Sequence, residues 1–345
     1  LDILSNDFMK ILVTGSTGFI GSHLIEQLVK EGHEVRALVR DEERNSNAKV
    51  EAMNLLEKLK VEIVWGDLLD AKSLIGAVKG VEGIFHLAAI ARPMAIQNRQ
   101  YFEVNENGTR NLFEAAKIEK VKKIVLMSSV SAVGQSKDGN AVNEKTKCHP
   151  VDIYGWSKLA QEKVAEGYVE KGDLNITILR PPMVFGPRDK EMLRLFKSVN
   201  NRFFPLDAKE KCMEFLYVKN LVEACLLAFR KGKNGEKYHI TNGEHYSING
   251  IIHSIELAQK RKIFPISFPE WVFLLGGSLI EFAGKVFNFH PPFKHDTVDW
   301  MTKKLWYVDD SKIKKELGYA PKITLNQGVK ETFDYYQRIG EVKRY

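Results

Sequence analysis

The stretch Thr14-Gly15-Ser16-Thr17-Gly18-Phe19-Ile20-Gly21 constrains this chain more than any other feature. Lys10 to Thr14 is a short apolar run that stops at Gly15, and Ile20, Leu24, Ile25 and Leu28 then recur at helical spacing up to Lys30. The segment reads as strand, tight turn, helix. Glycines at this spacing serve a tight turn, close approach of the backbone to a pyrophosphate, and close packing of helix on sheet. The N-terminus of the helix then faces the phosphates. Gly15, Thr17, Gly18, Phe19, Ile20 and Gly21 are therefore the expected phosphate-side contacts. The competing reading is a strand-to-helix turn with no ligand, and only its surroundings separate the two.

Those surroundings repeat the pattern. Glu34 to Val39, Val61 to Trp65, Gly83 to Leu87, Lys123 to Met127 and Asn175 to Leu179 are further candidate strands, with helical patterns mostly between them. Alternation of this kind implies an α/β fold with a parallel sheet covered on both faces. From about Asp189 the pattern loosens into Phe203-Phe204-Pro205, a helical Leu221 to Phe229, a glycine-rich turn and an aromatic-rich region from Ile263 to Trp306. We expect a dinucleotide-binding domain over 9–188, with 214–242 returning to it, and a smaller, mainly substrate-binding region over 189–345.

Composition sets the outer limits. With 44% hydrophobic and 28% charged residues the chain can bury a sizeable core. The net charge of +7 is scattered in short clusters such as Lys120 to Lys123, with no zinc-finger spacing or aromatic-basic motif, so no nucleic-acid partner is expected. Cys148, Cys212 and Cys225 are too few and too scattered for a disulfide framework or a tetrahedral metal site. Free thiols in a reducing, cytoplasmic compartment are the expectation, with no metal. Leu1 to Phe8 lacks the cationic start, apolar centre and small-residue cleavage site of a secretory leader, and we expect Met9 to be the native start. Glu270, Glu281 and Lys285 interrupt the apolar stretch Ile263 to Phe289, which therefore falls short of the roughly 20 apolar residues of a spanning helix.

Further positions suit a dinucleotide. Val39-Arg40 ends the second strand, where a guanidinium suits a ribose 2′-phosphate; Arg44 is a second candidate, Asp41, Glu42 and Glu43 oppose both, and a solvated strand end is the alternative for Arg40. Asp67, in Gly66-Asp67-Leu68, can accept the adenine amino group beside Leu68. Leu87, Ala88 and Ala89 give small residues along the cofactor path, and His86 is read as a packed strand-end histidine. Tyr154 and Lys158 lie four apart, so on a helix both project from one face. An ammonium there favours the phenolate of a side chain that otherwise titrates near pH ~10. The alternative is a surface tyrosine-lysine pair. Ser129, closing the strand that ends Met127-Ser128-Ser129, can hydrogen-bond a reacting carbonyl. Asn105 either fixes a helix or a water leading to Lys158, or is a helix cap or packing amide.

Taken together, these elements resemble an extended short-chain dehydrogenase/reductase, the superfamily that includes nucleotide-sugar epimerases and dehydratases. The resemblance runs from Met9 to about Tyr336 and includes Leu179-Arg180-Pro181 to Gly186-Pro187 and Trp306-Tyr307-Val308-Asp309-Asp310-Ser311 to Leu317-Gly318-Tyr319. It implies a Rossmann-type doubly wound fold and catalysis by Ser129, Tyr154, Lys158 and Asn105. Cofactor contacts are implied at the glycine turn, Arg40, Asp67, Leu68, Leu87, Ala88, Ala89, Tyr154, Lys158, Pro181 and Val184. The serine-to-tyrosine interval of the family selects Ser129 over Ser128 and Ser131. A homodimer through a helix pair flanking the sheet is also implied.

Nucleotide-sugar enzymes of this superfamily carry an asparagine where this chain has Met183 and an arginine where it has Met213. Apolar residues there leave a diphosphate poorly compensated, a cost of several kcal/mol if nothing replaces them. The chain better resembles the branch of dihydroflavonol 4-reductases and 3β-hydroxysteroid dehydrogenases, which implies an NADP(H)-dependent reductase of an apolar ketone, steroid-, flavonoid- or 3-oxoacyl-like, with NAD(H) as the second cofactor. A nucleotide-sugar epimerase or dehydratase holding NAD tightly, and a non-enzymatic NADP-sensing regulator, are the rivals. Trp271, Phe273, Phe282, Phe287, Phe289 and Phe293 form the core of the small domain, an apolar pocket or a lid in peripheral contact with a membrane.

Overall fold

The computed structural model describes residues 8–44, 46, 49–91, 97–136, 140–199, 203–207, 212–268 and 307–342. Strands β1 (Lys10–Thr14), β2 (Glu34–Val39) and β3 (Glu62–Trp65) alternate with helices α1 (Phe19–Lys30) and α2 (Val50–Lys58). Helix α3 (Ala71–Val78) leads to β4 (Gly83–His86), and α4 (Asn98–Phe102) runs through a π-helical turn, Glu103–Asn107, into α5 (Gly108–Ile118). Then come β5 (Lys123–Met127), α6 (Ile153–Glu170), β6 (Ile176–Arg180) and β7 (Met183–Phe185). The remainder holds α7 (Lys190–Val199), β8 (Phe203–Asp207), β9 (Cys212–Met213), β10 (Phe215–Tyr217), α8 (Val218–Lys231) and β11 (Lys237–His239). It ends with β12 (Tyr246–Ser247), α9 (Ile248–Gln259), β13 (Phe264–Phe268), α10 (Ser311–Leu317) and α11 (Leu325–Arg338).

The central sheet has seven parallel strands in the order β11-β6-β5-β4-β1-β2-β3. Alternation along each strand sends successive side chains to opposite faces. Ile11, Val13, Val125 and Met127 pack with Leu24 and Leu28 of α1, Leu221 and Cys225 of α8, and Ile313 of α10. Leu12, Ile124 and Leu126 face the other way, onto Leu74 of α3, Leu112 and Phe113 of α5, and Ala165 of α6. Both faces are therefore covered, as near-continuous apolar strands require. The strand order reverses between β1 and β4, and in such sheets ligands bind at that reversal, beyond the carboxyl ends of the strands. The glycine turn after β1 and the segment after β4 both lie there.

A separate core gathers Phe185, Met192, Phe196, Phe215, Tyr217, Ile251, Ile255, Val329 and Phe333, drawn from β7, β10, α7, α9 and α11. Around it are two-stranded pairs, β7 with β10, β9 with β12, and β8 with β13. Phe203-Phe204-Pro205, where the sequence pattern loosens, is strand, paired in parallel with β13 in a two-stranded sheet, where an edge strand tolerates proline. The helix expected over Leu221 to Phe229 extends to Val218–Lys231, and the strand expected from Lys237 returns to the main sheet beside β6. Trp271, Phe273, Phe282, Phe287, Phe289 and Phe293 lie outside the described residues. Among the described residues no helix is long and apolar enough to cross a membrane.

Candidate active site

At the end of β1 the backbone makes its turn with Gly15 at φ +69°, a conformation that a Cβ disfavours. A Cβ there would also stand 2.9 Å from the backbone nitrogen of Ala88, so Leu87 and Ala88 run directly against the turn. Thr14 fixes that approach: its carbonyl accepts the Leu87 N–H at 3.3 Å and its hydroxyl accepts the Ala88 N–H at 3.1 Å. Ala89 follows, half-buried. Gly18 donates its N–H to the Gly15 carbonyl at 3.0 Å and opens α1 without a side-chain cap, while Gly21 sits against that same carbonyl. A helix start of this kind, carrying no capping side chain, suits a pyrophosphate.

Beyond β2 and β3 a crevice of about 190 Å³ is lined by Arg40, Asp41, Glu42, Trp65, Gly66, Asp67, Asp70 and Ser73. Asp67 turns the chain there, its carboxylate accepting the Leu69 N–H at 2.7 Å, and the Leu68 carbonyl accepts from Asn111 at 2.9 Å. The Arg40 guanidinium donates to Glu43 through Nη2 at 2.9 Å and Nε at 3.2 Å. Arg44 stacks over Trp65 at 4.2 Å from the ring centre. Lys49 was missed in the sequence because it follows the apolar-poor stretch after β2; its Nζ donates to Thr17 Oγ1 at 3.2 Å.

The segments that carry Ser129, Tyr154 and Lys158 come together where β5 and β6 end. Ser129 caps a 3₁₀ turn, Val130–Ala132, its Oγ accepting the Ser131 N–H at 3.1 Å. The Pro181 carbonyl holds the same turn through the Val130 N–H at 3.0 Å. Helix α6 begins at Asp152, whose side chain accepts the Gly155 N–H at 2.7 Å. A Cβ on Gly155 would lie 2.4 Å from the Ser131 carbonyl oxygen, so the helix turn carrying Tyr154 packs directly on the turn that Ser129 caps. Val184, half-buried in β7 beside Leu216, touches both the sheet core and the second core.

Lys158, one turn further along α6, is 2% exposed. Its Nζ donates to the Met127 carbonyl and to Gln161 Oε1, each at 2.6 Å. Burial brings its pKa down to about 7, with Glu162 acting in the opposite sense. Asn105, in the π-helical turn, donates through Nδ2 to Ser157 Oγ at 2.9 Å and to the Ile90 carbonyl at 3.1 Å. Ser157 in turn donates to the Tyr154 carbonyl at 2.7 Å. Both amide hydrogens of Asn105 are thus engaged, and they tie the Tyr154 turn to the loop after β4.

His86 is fully buried, between Thr14 Oγ1 and Thr109 Oγ1, each at 2.8 Å. The Thr109 hydroxyl donates to the Asn105 carbonyl at 2.6 Å, so the His86 Nε2 must carry the proton toward it. Burial lowers the imidazole to about 3, which leaves it a neutral structural link. A second buried cluster escaped sequence reading. Arg180, 1% exposed, grips Glu162 through Nε at 2.8 Å and Nη2 at 2.6 Å, and Ser128 Oγ donates to the same carboxylate at 2.5 Å. Its signal was the repeat of four that carries Tyr154 and Lys158 on to Glu162.

A nicotinamide dinucleotide fits these residues: the Gly15 turn leaves room only for backbone, α1 opens uncapped, and the crevice at Asp67 follows from the turn. Comparison with known proteins agrees. The model of the NAD dependent epimerase/dehydratase family matches residues 11–247. Sterol demethylase protein B of Methylococcus capsulatus is 33% identical over 258 residues, covering 72% of this chain and 74% of its own. The human sterol-4-alpha-carboxylate 3-dehydrogenase, decarboxylating, is 27% identical over 355 residues, 98% of this chain and 91% of its own. Among solved structures, the UDP-glucuronic acid 4-epimerase of Bacillus cereus in complex with NAD superposes with a TM-score of 0.74 at 25% identity, covering 96% and 99% of the two chains. Glycine turn, buried lysine and family match converge on one conclusion: the chain belongs to the NAD-dependent epimerase/dehydratase family of extended short-chain dehydrogenases/reductases, and is an NAD(P)-dependent enzyme.

Proposed function

We propose that the protein interconverts a ketone and a secondary alcohol on an apolar, sterol-like small molecule, with NADP(H) as the preferred carrier of hydride. The observation that carries this reading is the packing of the Tyr154 turn of α6 onto the turn capped by Ser129, with Lys158 buried one turn below. A dinucleotide held by its pyrophosphate at the glycine turn would supply or accept the hydride through its nicotinamide. Tyr154 gives its proton to the substrate oxygen in reduction and takes it back in oxidation. Ser129 orients that oxygen. Lys158 is held by Met127 and Gln161 at the base of the site, where its charge favours the phenolate of Tyr154.

For the substrate, Met183 stands where a sugar diphosphate would need a polar partner, packed against the apolar second core. The nearest arginines in sequence are committed elsewhere, Arg180 to Glu162 and Arg188 to Glu26 at 2.6 Å. The sterol enzymes named above point the same way. A second reading, a nucleotide-sugar epimerase, draws support from the likeness to the Bacillus cereus enzyme.

Thermal-shift titrations with NADPH, NADH and UDP-sugars, followed by an NADPH-oxidation screen of sterol and other apolar ketones, test the proposal. Cofactor stabilisation and net NADPH consumption with an apolar ketone are expected, and stabilisation by UDP-sugars alone overturns it. Tyr154→Phe then lowers turnover by about 10²–10⁴-fold while NADPH affinity, measured by calorimetry, stays close to wild type.

A further inference from the structure

The acidic turn after β2 offers three consecutive carboxylates with different fates. The side chains of Asp41 and Glu42 are 75% and 82% exposed, whereas that of Glu43 is 10% exposed. A carboxylate leaves water only when partners replace it. Glu43 has them: Thr17 Oγ1 of the glycine turn donates to Oε2 at 2.5 Å, and Arg40 reaches Oε1 through two nitrogens. Lys49 Nζ lies 3.9 Å from the same oxygen. These contacts hold the Glu43 carboxyl below its ordinary range despite burial.

The consequence falls on Arg40, the residue placed to meet the ribose 2′ position. Two of its guanidinium N–H directions already point into a carboxylate, and Glu42, Asp41, Asp67 and Asp70 share its crevice. Arg44 offers no substitute, because it bonds Asp41 at 3.2 Å and stacks on Trp65. An incoming 2′-phosphate therefore meets a cation whose charge is largely answered, and must share or displace Glu43. A 2′-hydroxyl carries no such requirement.

We propose that Glu43 is a specificity-determining residue, an internal counter-ion on Arg40 that narrows the discrimination between a 2′-phosphate and a 2′-hydroxyl. The proposal rests on the reading of Arg40 as the 2′-phosphate contact and adds the group that moderates it. Glu43 links that cation to the glycine turn, so one carboxylate couples the two ends of the adenosine site.

Calorimetric titration with adenosine 2′,5′-bisphosphate and with 5′-AMP tests it without any need for turnover. E43Q, nearly isosteric and still able to accept from Thr17, is expected to raise the preference for the bisphosphate by about tenfold. R40A is expected to weaken the bisphosphate selectively, and the E43Q effect should vanish in the R40A background, the mark of two groups acting through one contact. An unchanged ratio in E43Q, with R40A still selective, overturns the role of Glu43 alone. Equal affinities in R40A and wild type overturn the reading of Arg40 itself. Should E43Q melt early, E43D, which withdraws the carboxylate by one methylene, is expected to shift the ratio in the same direction, and no shift there is equally fatal.

Discussion

Lys158 shows how one position on α6 becomes chemically special. The residue is 2% exposed, its amine donates to a backbone carbonyl and the Gln161 amide, and burial brings its pKa to about 7 from 10.5. In the unfolded chain the same amine stays protonated up to about pH 10.5. Between these values the unfolded state binds more protons, so folding stability contributed by this residue rises with pH from about 7 to 10.5 and the cost of burying the ammonium is full below 7. Lys158→Met removes the linkage. Urea denaturation of both proteins from pH 7 to 9 should show wild type gaining on the variant by up to about 1.4 kcal/mol per pH unit. Parallel profiles would show that Lys158 is solvated in solution.

At the scale of elements, α6 is both the carrier of the site and its anchor. Its Tyr154, Lys158 and Glu162 share one stripe, and Glu162 docks on Arg180 of β6 and Ser128 of the segment after β5. Removing one partner of a buried pair leaves the other uncompensated. Glu162→Ala should therefore cost about 3–5 kcal/mol in chemical denaturation, whereas a loss under about 1 kcal/mol would mean that water reaches Arg180. The strands β1, β2 and β5 were legible to the residue, because buried parallel strands read as apolar runs, which here stop at Gly15, Arg40 and Ser128. Spacing and strand ends put Tyr154, Lys158 and Ser129 on segments that the fold brings side by side, and their chemical roles belong to the proposal. The inward turn of Glu43 and the Arg180 pairing were not, because burial of a charge depends on partners brought together from distant stretches. The same reason hid the use that the fold makes of Asn105, whose amide meets Ser157 only after α6 docks.

Across the whole molecule, buried neutral histidines set the acid limit. His86 and His239 are fully buried, and burial holds each near 3, below the 6.5 of an unfolded chain; nearby Lys158 and Arg180 add to the shift. As pH falls through 6.5 the unfolded state takes up protons that the folded state refuses. The stability contributed is complete above 6.5 and is lost between about 6.5 and 3. The expected slope is up to about 1.4 kcal/mol per pH unit for each histidine. Denaturation midpoints measured from pH 6.5 to 5 check it, and a flat profile would place at least one imidazole in contact with water. The sheet also carries a consequence for synthesis. Strand β6 has β11 as its outer neighbour, paired from Ile178↔Lys237 to Arg180↔His239, yet β7 through β10, α7 and α8 are translated between them. A nascent chain stalled in that interval presents an unpartnered strand edge to whatever lies near. The excursion that builds the second core around Phe185 and Phe215 thus also makes the incomplete polypeptide adhesive, and assigns the hazard of aggregation to the time before Lys237 leaves the ribosome.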